Sequence, residues 1–306
     1  MRINFNSVLI CLASLAAIIT LPAKAELNVF ACEPEYAALT QELAGDKVTI
    51  YSATTAQQDP HFIQARPSLI AKMRRADLVV CAGADLEIGW LPMLQMKSNN
   101  RDVQSADKGL FYASDHVQNL DIPVSVDRSM GDVHSLGNPH VHLDPTRITQ
   151  LAKALSNKLS QLDSENSAIY QSKLTDFLTR WQQATTQWQG QAQELKGTKV
   201  IAYHSSFRYL FEFLGMQQVG DLEPKPGLPP TTSHLMTVLD IVEKQQVKLV
   251  VYTGYQDEKA AHWLQDKTDI NSVQLPYTVG GNEQATDLFS MMSQHIALIK
   301  GALAAQ

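Results

Sequence analysis

Nine histidines are spread through this 306-residue chain, and three of them crowd into residues 131–145, GDVHSLGNPHVHLDP. A neutral imidazole nitrogen binds a divalent transition metal, and a single loop rarely supplies a whole tetrahedral shell, so partners are expected from elsewhere in the chain. His61 and His204 are the candidates. His61 sits in QQDPHFIQARPS after the strand-like KVTIYSA, and His204 ends the strand-like VIAYH. In open α/β sheets ligands gather at the carboxyl ends of the strands, which places His61 and His204 on one cleft with His140. Asp-Pro before His61 and Asn-Pro before His140 fix the backbone that enters each ligand. His116, His234, His262 and His295 lie on ordinary helical or variable patterns and read as surface or core histidines.

The elements that must position these residues alternate. From Glu26 the chain runs LNVFAC strand, EYAALTQELAG helix, KVTIYSA strand, RPSLIAKMRRA helix, DLVVCAG strand, EIGWLPMLQM helix, the pattern of a parallel α/β domain. Periodicity fades between residues 99 and 145, and long irregular stretches inside compact domains usually carry function. After Asp144-Pro145 the chain reads as helix, breaks near Asp163, and continues as a very long helix to Leu195; thirty residues of helix span roughly 45 Å, enough to bridge two lobes. Alternation then returns from residue 197. The expected division is therefore a leader at 1–25, an N-terminal α/β lobe at 26–145, a helical region with the linking helix at 146–196, and a C-terminal α/β lobe at 197–306. PKPGLPP at 224–230 reads as a rigid loop ahead of a helix capped by Thr232 or Ser233.

Composition narrows the class. At 44% hydrophobic and 18% charged the chain can bury an ample core, which argues against disorder. Residues 1–25 combine Arg2, an apolar run from Val8 to Leu21 and the small-residue pattern Ala23-Lys24-Ala25, so a secretory signal peptide cleaved after Ala25 is expected, and with it a periplasmic location. Leu9-Ile10-Cys11 lacks the small residues a lipoprotein cleavage site prefers. Removing the leader takes away Arg2 and Lys24 and no acid, leaving 23 basic against 31 acidic side chains and a net charge of −8, which argues against a nucleic-acid partner. Cys32 and Cys81 remain, each near the end of a predicted strand; a disulfide and two buried thiols are both compatible with that placement.

The order of QDPHFIQARPS, RRADLVVCAGADLE, GNPHVHLDP, VIAYHSSFRYL and EPKPGLPP resembles the periplasmic solute-binding subunits of bacterial ABC importers for zinc or manganese, over essentially the whole chain after the leader. The resemblance implies two α/β lobes with parallel sheets joined by a single long helix, a metal cleft between them, and a monomer that delivers metal to an inner-membrane ABC permease. Carried over by motif, the ligands are His61, His140 and His204. His142 falls where the family usually has an aromatic residue and reads as a spare donor. Thr278 stands where many relatives place a carboxylate, which opens the fourth position. Water is the preferred fourth ligand and His134 the alternative, because Gly131 and Gly137 loosen that segment and ordering it costs entropy. Asp59 is the first candidate to orient a ligand through its other ring nitrogen.

Three imidazoles suit Zn²⁺ and other late transition metals, whereas Mn²⁺ favours oxygen ligands, so the expected function is periplasmic capture of Zn²⁺ for uptake. A manganese-binding homologue and a secreted zinc hydrolase are the alternatives. The hydrolase lacks a paired-histidine helix motif with its glutamate base. A siderophore or vitamin receptor on the same plan leaves the three motif histidines unexplained.

Overall fold

The computed structural model describes residues 26–305; the expected leader lies outside the described residues. The N-terminal sheet holds β1 (Leu27–Ala31), β2 (Val48–Ser52), β3 (Leu78–Cys81) and β4 (Leu110–Tyr112), all parallel, in the order β2-β1-β3-β4. Helices α1 (Pro34–Ala44), α2 (Pro67–Met73) and α3 (Leu91–Ser98) connect them. After α4 (Pro145–Leu162) and α5 (Ser167–Ala192), a second parallel sheet of β5 (Lys199–Ala202), β6 (Gln217–Asp221), β7 (Leu249–Thr253) and β8 (Asn271–Leu275) follows, ordered β6-β5-β7-β8. Its helices are α6 (Arg208–Leu214), α7 (Thr232–Gln245), α8 (Lys259–Lys267) and α9 (Leu288–Ala304).

Period-two alternation assigns the strand residues to layers. Leu27, Val29, Leu78 and Val80 of the first sheet and Val200, Ala202, Leu249 and Val251 of the second join one apolar core with α1, α4, α5, α6 and α9. The opposite faces, Phe30, Val79 and Cys81 on one side and Ile201, Val250 and Tyr252 on the other, pack into separate clusters under α2 and α3 and under α7 and α8. A single core therefore runs through both lobes on the side of the long helix. Helix α5 buries Tyr170, Leu174, Phe177, Trp181, Thr185, Trp188 and Ala192, a stripe at spacings of three and four. Its 26 residues span about 39 Å. Two indoles pin it: Trp181 donates to the Pro145 carbonyl at 2.8 Å, and Trp188 to Ser293 at 3.1 Å. Pro145 closes the histidine loop, so the core anchors the base of that loop directly.

Four boundaries differ from the sequence reading. The stretch at 99–145 contains β4, whose three residues pair with Val79, Val80 and Cys81 and are too few for a readable alternation. The helix expected from Glu87 begins only at Leu91. The linking helix proper is four residues shorter than thirty, with 3₁₀ turns at both ends. The cap of α7 is Thr231, whose hydroxyl accepts from the His234 amide. The cysteine question is resolved as a disulfide: Cys32 and Cys81 extend the level pair Ala31 and Val80 on neighbouring strands and are bonded, with Cα atoms 4.8 Å apart. Closing a 49-residue separation contributes roughly 4 kcal/mol on the chain-entropy account.

Candidate metal centre

The two proline motifs fold by one local device. In Asp59-Pro60-His61 the Asp59 carboxylate accepts from the His61 amide at 3.0 Å, and in Asn138-Pro139-His140 the Asn138 side-chain oxygen accepts from the His140 amide at 3.0 Å. Each is an Asx turn, with a proline in the middle that has no amide of its own to satisfy. His204 reaches the same place differently, as the second residue past β5, where Tyr203 still donates to the Val251 carbonyl at 2.7 Å. All three emerge at the carboxyl edges of the sheets.

Their rings converge. The ligand atoms of His61, His140 and His204 all lie within 4.8 Å of one another, and the ring centroids are 5.7–5.9 Å apart, nearly edge to face. Each ring has its Nδ1 engaged from behind. His61 donates to Asp59 at 2.7 Å, His204 donates to Glu223 at 2.7 Å, and His140 Nδ1 lies 2.8 Å from the Tyr277 hydroxyl. Nε2 of His140 and of His204 are buried without a hydrogen-bond partner among the described residues. Carboxylates behind two imidazoles hold the proton on Nδ1, which turns the Nε2 lone pair toward the cluster.

The electrostatics suit lone-pair donation. Burial, reinforced by His61, His204 and the other neighbouring imidazoles, holds His140 well below the usual histidine range. His134 is pushed down to about 3 by burial and by His61 and His204, against the pull of Asp85 and the Ala84 carbonyl. For His204 burial works downward too, but the Glu223 bond and the charges of Glu223, Asp221 and Asp59 outweigh it and raise its pKa above 6.5. Asp59 stays ionised: burial opposes this, and its bonds to His61 win.

His134 lies at the edge of this group, beside His61, with its ring centroid 6.4 Å from that of His140. Its Nε2 lies 3.2 Å from His61 Nε2, close to the edge of about 3.3 Å in a tetrahedron with zinc–nitrogen bonds of ~2.0–2.1 Å. The sequence reading ranked water above it on the looseness of Gly131 and Gly137. That segment carries two bonds to distant residues, with Ser135 donating to Asp85 at 2.6 Å and Asn119 to the Leu136 carbonyl at 3.0 Å. His142 is not brought to the cluster. Its Nε2 faces the Tyr277 carbonyl at 3.0 Å and its Nδ1 lies 3.2 Å from a Glu35 oxygen, outside hydrogen-bonding geometry, so neither nitrogen faces the other histidines. Thr278 donates to the same Glu35 carboxylate, deep inside the protein, and Asp287 caps α9. His234, His295 and His116 are likewise used elsewhere, on the Asp221 carbonyl, on the Pro276 carbonyl and stacked on Phe111. Sequence reasoning missed Glu223 and Tyr277. Both lie just past β6 and β8, at the strand edge that picked out His204, and that placement was the available signal.

Comparison with known proteins follows this geometry. The family model for the periplasmic zinc-uptake complex component A matches residues 29–302. The manganese ABC transporter substrate-binding lipoprotein PsaA of Streptococcus pneumoniae serotype 4 is 22% identical over 287 residues, covering 91% of this chain and 90% of that protein. The zinc-binding lipoprotein AdcA of Streptococcus pneumoniae is 20% identical over 288 residues, covering 91% of this chain and 56% of that protein. The crystal structure of ZnuA superimposes with a TM-score of 0.77 at 20% identity, over 91% of this chain and 99% of that one.

Proposed function

The chain belongs to the zinc-uptake complex component A family, and we propose that within it this protein captures Zn²⁺ outside the cytoplasmic membrane and passes it to an ABC permease. The family consists of substrate-binding components of ABC metal importers, not enzymes, and its members bind divalent metals. The finer reading is the metal and its ligands: Zn²⁺ as cargo, held by His61, His140, His204 and His134, with secretion directed by the leader at 1–25. The observation that carries it is the pair of buried, unpartnered Nε2 atoms on His140 and His204, each on a ring whose Nδ1 is already engaged.

An all-imidazole shell favours zinc. Mn²⁺ prefers oxygen donors, and the two carboxylates bonded to the cluster, Asp59 and Glu223, are occupied by ring nitrogens. Those two carboxylates also supply negative charge beside a dication that four neutral imidazoles leave uncompensated. With four imidazoles the shell is closed, so no position is left for the activated water a hydrolase needs. The test is a competition titration of metal-free protein with Zn²⁺ and Mn²⁺. One tightly bound Zn²⁺ per chain with Mn²⁺ at least about 100-fold weaker is expected; tighter Mn²⁺ overturns the reading.

A further inference from the structure

We propose that residues 131–134 of the N-terminal lobe and 225–227 of the C-terminal lobe form a latch across the cleft, which holds His134 against His61 at the edge of the histidine cluster and is tied through Glu223 to His204. The proposal rests on the four-imidazole reading above and adds what keeps the fourth imidazole in place.

His134 lies on no helix or strand, so its position depends on what grips its backbone. One grip is within its own lobe, where the His134 carbonyl accepts from the Gly137 amide at 3.2 Å and Ser135 donates to Asp85. The other crosses the cleft. The Asp132 amide donates to the Pro226 carbonyl at 2.9 Å, and the Lys225 ammonium donates to the Ser129 carbonyl. Pro226 lies in EPKPGLPP, where fixed φ angles present that carbonyl with little conformational freedom. His134 therefore sits between an anchor one residue after it and another two residues before it.

The crossing is close enough to require glycine at 131, where the overlap is with backbone, and positive φ favours it at 227, where the overlap is with a side chain. Gly131 has φ +85° and a Cβ there would run into the Pro226 carbonyl oxygen; Gly227 has φ +77° and a Cβ there would run into the Asp132 carboxylate. Two left-handed glycines, each fitted against the other's loop, are what a built contact between the lobes needs. The second arm of the latch is one oxygen atom. Glu223 Oε2 accepts from His204 Nδ1 at 2.7 Å and from the Gly227 amide at 3.1 Å. A shift of the His204 ring is thus transmitted to the loop that seats Asp132, and His134 and His204 move as a coupled pair.

Gly227 reaches His134 through Asp132 and His204 through Glu223, so only the part of its effect that vanishes when His134 is removed reports on the crossing. The experiment is a double-mutant cycle on the release rate of Zn²⁺ to a chromogenic chelator, comparing wild type, Gly227→Ala, His134→Ala and the double variant. Gly227→Ala is expected to speed release about tenfold and to add less than about twofold on the His134→Ala background. Lys225→Met, which leaves the backbone untouched, is expected to act in the same direction by about threefold and to lose its effect on the same background. Equal acceleration in both backgrounds, or none in either, overturns the latch. Amide hydrogen exchange on metal-free protein gives a readout that needs no zinc. A protected Asp132 amide that becomes unprotected in Gly227→Ala supports the latch even if the wild type proves to bind no zinc, in which case the cargo reading alone falls. An unprotected Asp132 amide in the wild type overturns the latch whatever the metal does.

Discussion

His140 and His134 are six residues apart in the chain and their ring centroids come within 6.4 Å, yet they reach that place by different means. His140 is 1% exposed; an Asx turn fixes its backbone, Tyr277 holds its ring, and the Pro145 carbonyl at the end of its segment is clamped by Trp181 from α5. It is an extension of the shared core. His134 lies on a loop held by its own carbonyl's bond to the Gly137 amide, by Ser135 on Asp85 and, two residues upstream, by Asp132 on Pro226. The difference separates two tasks: a site that recognises its cargo needs donors that do not move, and a site that must give the cargo up needs one that does.

If that division holds, substitutions should rank by how firmly the residue is built in. His140→Ala removes a fixed donor and should weaken zinc binding by more than about 100-fold, beyond what loss of an outer partner costs; isothermal titration against a competing chelator reads it. Binding that survives His140→Ala but is lost in His142→Ala would reverse the assignment within the HVH stretch. Asp59→Asn and Glu223→Gln keep the ligands but weaken their orientation and the compensating charge, and each should cost about 10–100-fold. His142→Phe should change affinity by less than about threefold, because its nitrogens face Tyr277 and Glu35.

A pH series separates the cluster from the core beneath it, because the two respond in opposite directions. Protons compete with metal for His204, whose pKa is raised above 6.5, so zinc affinity should climb through neutral pH, beginning to fall off already above pH 6.5 on the acid side. In the metal-free protein, Glu33 is pushed up by burial and by its neighbours Glu87 and Glu35, and burial pushes Glu87 up to about 7. A carboxyl whose folded pKa exceeds its unfolded value of about 4.5 contributes stability below that value and loses it as pH rises through the folded pKa. The lowered histidines His116, His134, His140 and His295 act the other way, and their contribution keeps growing until pH is about a unit above the unfolded value of about 6.5. Beyond that the losses from Glu33 and from His204 remain. Metal-free protein should therefore lose stability from pH 7.5 to pH 8.5 in urea unfolding, while zinc affinity does not fall over the same interval.

The same division decides what could be read from the chain alone. Asp-Pro-His and Asn-Pro-His announce their ligands because each turn is built from adjacent residues, and Asp59 followed as the outer partner of His61 because it lies inside the motif. The alternation of strands and helices gave both lobes, and the run without proline between residues 165 and 195 gave the linking helix. What holds the segment of His134 could not be read locally, because its anchors, Asp85 and Pro226, lie some fifty and ninety residues away in the chain; nothing local tells an anchored glycine loop from a loose one. Tyr277 and His142 depend on the approach of the second lobe to the first, and β4 on the partner strand that completes it. Contacts that are long in sequence were the ones that stayed hidden.

X-ray absorption at the zinc edge on wild type and on His134→Ala tests the division most directly. Three fixed imidazoles and one held by the loop predict a four-imidazole shell in the wild type, falling to three imidazoles and one oxygen in the variant. Three imidazoles and an oxygen in both proteins would contradict the account, because His134 would then be a neighbour of the cluster and never a ligand.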